Sequence, residues 1–196
     1  MPQPSNITIQ SSHALKEWAI TGEALAQNRQ IILLRKGGLL DEDGHFTLEH
    51  SQFWLLATWL HQERGLVKAA HQNLWEQTPR KADETAKIAY LRHFARVEKV
   101  WKLDEDAEPA LLEVPHIWSA HYLDLRFGYQ PDKTLLCAAL RVYLADEPVH
   151  YELRDGDLGC RSWVDLAEPI AADVRPAIGD AEFARSLERV AQVLED

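Results

Sequence analysis

Ile31-Ile32-Leu33-Leu34-Arg35-Lys36-Gly37-Gly38 is an apolar run that breaks abruptly into charge and glycine, and Phe53-Trp54-Leu55-Leu56-Ala57-Thr58-Trp59-Leu60-His61-Gln62 repeats the pattern. Short apolar runs bounded by polar groups and turn residues read as buried strands. A buried strand that ends this way presents its last side chains at the rim of a sheet, where binding groups are commonly carried. These two blocks predict both the core of the fold and the place to look for a site.

Working outward, Leu15, Trp18, Ala19, Gly22 and Leu25 or Ala26 recur at helical spacing behind Ser11 or Ser12 as N-cap, which predicts a first helix. Asp41-Glu42-Asp43-Gly44 reads as a hairpin-like loop into Phe46-Thr47-Leu48, and 63–85 as a long polar excursion with at most a turn of helix. Ile88 to Leu103 alternates apolar and polar in its second half and is expected to be a strand. Asp104 to Glu108 with Pro109 reads as a solvated loop. Ser119 and Gly128 mark the two ends of a short helix whose inner face carries Tyr122, Leu123 and Phe127. Thr134 to Leu144 is the most apolar strand, expected to be central and to stop before Asp146-Glu147-Pro148. Asp155-Gly156 and Gly159 turn into a late hairpin, and residues 180–196 form an amphipathic helix with Asp180 as N-cap and Phe183, Leu187, Val190 and Leu194 inward. The expectation is one α+β domain over residues 1–196, with a mainly antiparallel sheet, about three helices and a flexible start at 1–10, because strands outnumber the helices available for parallel crossovers.

The chain has 196 residues, 46% of them hydrophobic and 27% charged, which is the composition of a globular protein with an ordinary core. No apolar run approaches the roughly 20 residues of a membrane helix. The N-terminus lacks a secretory pattern, so a cytoplasmic location is expected. Cys137 lies inside an apolar run and Cys160 beside Gly159, a pair expected to be structural thiols rather than a disulfide. The net charge of −10 is uneven. Residues 64–102 are net +5 and residues 103–196 net −12, so any contact with a polyanion falls to the middle segment.

Arg35 and Lys36 before Gly37 and Gly38 place two cations beside glycine amides, a local arrangement suited to an anion. It is not a P-loop, because the glycine spacing and the following helix are missing. His50, Thr58, His61 and Gln62 bracket the second strand, and His61 is positioned to act as acid, base or hydrogen-bond donor if they share the rim with Arg35. Arg141 inside an apolar strand needs a carboxylate, such as Asp124 or Asp165, or an anionic ligand; Arg126 is the second cation of that kind. Trp101, Trp118 and Trp163 are core residues or base-stacking platforms. No His or Cys spacing matches a metal motif, and neither a metal nor a cofactor is expected. Glu-x-Lys and Asp-x-Lys are absent, which disfavours restriction-type nuclease chemistry. Gly-x-Ser-x-Gly is absent too.

Taken together, the His13 to Ala19 segment, Leu33 to Gly38, Phe53 to Gln62, Arg126-Phe127, Leu140-Arg141-Val142-Tyr143 and Gly159 to Val164 resemble a bacterial family catalogued only as domain of unknown function 1802. The resemblance spans nearly the whole chain and adds Tyr143 to the candidate ligand residues. It implies no established activity. Some members are joined to restriction-endonuclease-like domains, which implies a link to DNA restriction. Three readings follow: an accessory domain that binds nucleic acid or a nucleotide-like anion through Arg35, Lys36, His61 and Gln62; an enzyme on a small anionic substrate using His61 with Arg35 or Arg141; and a module whose acidic half meets a basic protein partner.

Overall fold

Continuous apolar runs need two buried faces, and the computed structural model of the chain supplies them with a sheet that closes on itself. The structure describes residues 6–36, 39–40, 46–47, 49–78, 87–104, 107–158 and 161–195. Gly37, Gly38, the Asp41 to Gly44 loop, Gly159 and Cys160 lie outside them. In chain order the elements are β1 (Ile7–Trp18), α1 (Ala19–Ala26), β2 (Ile32–Lys36), β3 (Leu39–Leu40), β4 (Phe46–Thr47), β5 (Gln52–Thr58), α2 (Asn73–Gln77), β6 (Ile88–Leu103), α3 (Glu108–Glu113), α4 (Ala120–Gly128), β7 (Leu135–Glu152), β8 (Trp163–Pro176) and α5 (Asp180–Glu195). Six strands form one sheet in the order β2-β7-β6-β5-β1-β8, and β3 pairs with β4 separately.

Tyr143 to Ala145 of β7 also pair with Val174 to Pro176 of β8. This joins β7-β6-β5-β1-β8 into a closed ring, with β2 attached to the first part of β7. Closure leaves the ring without a free edge. All pairings are antiparallel except β1 with β5, which is parallel, so the α+β fold has a mixed sheet that is mostly antiparallel.

Successive residues of one strand serve different cores. Trp54 and Leu56 of β5 join Ala14, Leu91, Phe94, Tyr143 and Val164 in a cluster drawn from all five ring strands. Phe53 and Leu55 join Leu15, Leu33, Ala138 and Leu140 on the other face. Ile32 and Leu34 of β2 pack with Cys137, Trp118, Leu123 and Phe183, where α4 and α5 cover the sheet. Both faces are buried, and the strand therefore reads as a run rather than an alternation.

Several expectations are corrected. The first helix is a strand, β1, followed by α1. The helical spacing of Leu15 and Trp18 is overridden by pairing with β5 and β8, and α1 is buried all round, so neither element shows a clean period. Ile7 to Gln10, expected to be flexible, pair with Ala171 to Val174. The loop around Pro109 is α3, with proline in its first turn, where its missing N–H costs nothing. β7 continues past Pro148 because the register shift opposite Leu91 and His93 leaves that proline outside the ladder. Five α-helices are present among the described residues rather than about three. α5 begins on the carbonyl of Gly179, which accepts from Glu182 and Phe183 N–H at 3.1 and 2.9 Å; the Asp180 side chain goes elsewhere. The strand at Ile88 to Leu103 and the Ser119 cap of α4 are as expected, with Ser119 Oγ accepting from Tyr122 N–H at 3.3 Å. Among the described residues no helix is long and apolar enough to cross a membrane.

Candidate anion-binding site

The end of β2 meets the C-terminal half of α4. Arg35 Nη1 lies 3.3 Å from Glu17 Oε2, and Glu17, at the end of β1, is only 4% exposed. The other Glu17 oxygen accepts from Trp18 N–H at 2.8 Å. Lys36 Nζ donates to the carbonyls of Phe127 and Lys133 at 3.0 and 3.1 Å, placing its charge at the end of α4 where the helix dipole favours a cation. Arg126, in the last turn of the same helix, donates through Nε to the Tyr122 hydroxyl at 2.9 Å and lies over that ring, 5.2 Å from its centroid.

Burial pushes the Tyr122 hydroxyl up to about 12, against the pull of Arg126. It is therefore protonated at neutral pH and retains a proton to donate. Trp118 stacks on Tyr122 at 5.0 Å, and Trp18 meets it edge-on at 5.4 Å. The exposed ring of Tyr129 follows one turn beyond Leu125. Three cations, Arg35, Lys36 and Arg126, thus converge on one end of the fold, with Glu17 the buried carboxylate among them.

Gln62 approaches from the loop after β5. Its Oε1 accepts from Ile20 N–H at 3.1 Å in the first turn of α1, while its Nε2 is buried with no partner among the described residues. Thr58 Oγ1 accepts from Leu60 N–H at 3.2 Å and shapes that loop. His61 is exposed at a positive φ of 59°, a conformation unusual for a residue with a Cβ, and joins no hydrogen bond or ion pair among the described residues.

The remaining candidates sit elsewhere. His50 stacks on His13. Arg141 is buried on β7, with Nη2 2.5 Å from Asp180 Oδ1, Nη1 3.5 Å from the Gly179 carbonyl and its guanidinium over Phe183; Asp180, not Asp124 or Asp165, is the carboxylate it required. Tyr143 lies 5.9 Å beneath the Arg96 guanidinium. Nothing among the described residues links Arg141 to Arg35 or His61, the grouping on which the enzyme reading depends.

The basic middle is largely answered within the chain. Arg64 pairs with Glu76, Lys87 with Asp155, Arg92 with Glu23, Arg96 with Glu98 and Lys99 with Glu195. Trp101 and Trp118 are core residues, while Trp163 is half-buried against Phe53 and His50. Sequence reasoning missed Glu17 and Tyr122 as members of the site. The signal for Glu17 was a carboxylate at the end of a strand, hidden by reading that strand as a helix.

Among solved structures, the chain is similar to a point mutant of ZmASCH from Zymomonas mobilis, at 13% identity over 90% of this chain and 95% of that one, with a TM-score of 0.44. It is also similar to ASCH from Zymomonas mobilis itself, at 12% identity over 90% and 92% of the two chains, with a TM-score of 0.39. No curated protein matches the chain. The model of one family matches residues 14–189, nearly the whole of the sequence, and the chain belongs to it: Domain of unknown function (DUF1802).

Proposed function

We propose that the protein binds the phosphate groups of a nucleotide or nucleic acid at the β2–α4 end. The observation that carries this reading is the pair of guanidiniums, Arg35 and Arg126, beside one buried carboxylate, Glu17, with Lys36 at the end of the same helix. Glu17 answers one guanidinium, so the cluster keeps an excess of positive charge. Arg35 and Arg126 present planar donor forks suited to phosphate oxygens. The buried Tyr122 hydroxyl holds Arg126 in place, and the exposed Tyr129 ring offers a face on which a base can stack. Lys36 is spent on two carbonyls and serves mainly to hold α4 against β2.

An accessory role beside DNA restriction would require only such binding and no cutting chemistry from this chain. Fluorescence anisotropy with short single-stranded and duplex oligonucleotides tests the reading. Arg126→Gln should weaken binding by about tenfold, the equivalent of about 1.4 kcal/mol. An Arg126→Gln variant that folds and binds as the wild type does refutes the assignment.

A further inference from the structure

On the ring, a second group of ligand-bearing side chains is assembled from three distant segments. His13 of β1 and Asp165 of β8 are opposite partners in the antiparallel ladder, beside a register shift between Ser11 and His13. His50 enters just ahead of β5, the neighbour of β1 on its other side. Bulges of this kind re-aim side chains and recur next to functional sites. The two imidazoles lie face to face with centroids 3.6 Å apart and planes 7° apart, and His13 Nδ1 is 3.2 Å from Asp165 Oδ1. One ligand atom from each residue lies within 4.8 Å of the others.

The two rings bring a nitrogen each to within 4.8 Å of the Asp165 carboxylate, and because their in-plane lone pairs lie in parallel planes, one ring turns about its side-chain bonds for both to meet one ion. We propose that His13, His50 and Asp165 hold a divalent transition-metal ion of the zinc type. Two imidazole nitrogens and one carboxylate oxygen are the donor set such ions take, with metal–ligand distances of about 2.0–2.2 Å. A tetrahedral ion needs its ligand atoms roughly 3.3–3.6 Å apart. The His13–Asp165 pair is already at 3.2 Å, and Asp165, 89% exposed, can rotate to close the rest. Arg154 donates to the Asp165 backbone carbonyl while its own charge is met by Asp157, which fixes this part of β8 without occupying the carboxylate.

Burial, and then the neighbouring His13, hold the His50 imidazole below its ordinary range. Three protein ligands leave a fourth position, and His13 also lines a depression of about 370 Å³ together with Gln10, Ser11, Ser12, Gln52 and Pro169. This is the layout of a site that keeps a water or a small ligand on the metal. None of these residues carries the phosphate reading, so the two proposals stand or fall separately.

Cobalt(II) is the probe, followed by its visible absorption and by equilibrium dialysis against the full chain. One ion per chain is expected. His13→Ala, His50→Ala and Asp165→Asn should each weaken binding by about tenfold or more, at least the loss that removal of an outer-shell partner causes. His121→Ala, on the exposed side of α4, should leave it unchanged. Asp165→Asn keeps the proposal testable if a histidine variant misfolds, because that side chain is almost wholly in solvent. Absence of wild-type binding, or equal binding by wild type and Asp165→Asn, overturns the proposal.

Discussion

Arg35→Met removes the guanidinium beside Glu17 while keeping most of the side-chain volume. Arg35 is 16% exposed and Glu17 4%, at 3.3 Å. Two unit charges at that distance attract by about 5 kcal/mol at an effective dielectric near 20. The variant does not lose all of it, because the Trp18 N–H still serves the carboxylate; a charge-assisted bond of that kind contributes about 1.5–3 kcal/mol. Stranding one member of a buried pair costs about 3–5 kcal/mol, so about 2–4 kcal/mol is expected here. For a chain of this length that lowers the melting temperature by roughly 4–16 °C. The decisive comparison is with the double variant Glu17→Gln/Arg35→Met, which removes both charges and should recover at least half of the loss. Urea unfolding of the wild type, the two single variants and the double variant gives the coupling energy directly. A single variant that loses under about 0.5 kcal/mol, or a double variant no more stable than Arg35→Met, refutes the idea that Glu17 is a buried charge held by Arg35.

His116, buried with Nε2 3.1 Å from the Leu111 carbonyl and Nδ1 accepting from Trp118 N–H, is held down to about 4 by burial and by nearby Lys68. The unfolded chain takes up its proton near pH 6.5 and the folded chain only near 4, so stability that is complete above about 6.5 declines as pH falls through that window. His116→Gln should flatten this slope, and an unchanged slope in a pH series of urea midpoints would contradict the placement. Ser119→Ala removes the N-cap of α4 and should cost about 1 kcal/mol in urea unfolding, with no loss refuting the cap.

The two apolar runs announced the sheet and the rim together, because a strand buried on both faces has no polar alternation to blur it. Arg35 and Gln62 were legible as rim residues for the same reason, and Arg126 was visible as a cation on a helix marked at both ends. Arg141 was legible as a buried cation, but its partner was not: Asp180 lies 39 residues away, on a helix that meets β7 only through the tertiary packing. β1 was hidden because its mixed apolar and polar residues show no clean period 2, while Leu15, Trp18, Ala19 and Gly22 run at helical spacing across the boundary into α1. The His13, His50 and Asp165 group has no linear spacing to detect. It is created by the parallel pairing of β1 with β5 and the antiparallel pairing of β1 with β8, which set three segments distant in sequence side by side.

The most direct test of the account is the salt dependence of oligonucleotide binding by the wild-type chain beside Arg126→Gln. Two phosphate contacts, from Arg35 and Arg126, predict that the logarithm of the association constant falls against log salt with a slope of about −1.4 for single strands, or about −1.8 for duplex. Arg126→Gln should reduce that slope by about 0.7 for single strands, or about 0.9 for duplex. A wild-type slope near zero, or one that the substitution leaves untouched, contradicts the claim that the β2–α4 end is a phosphate site.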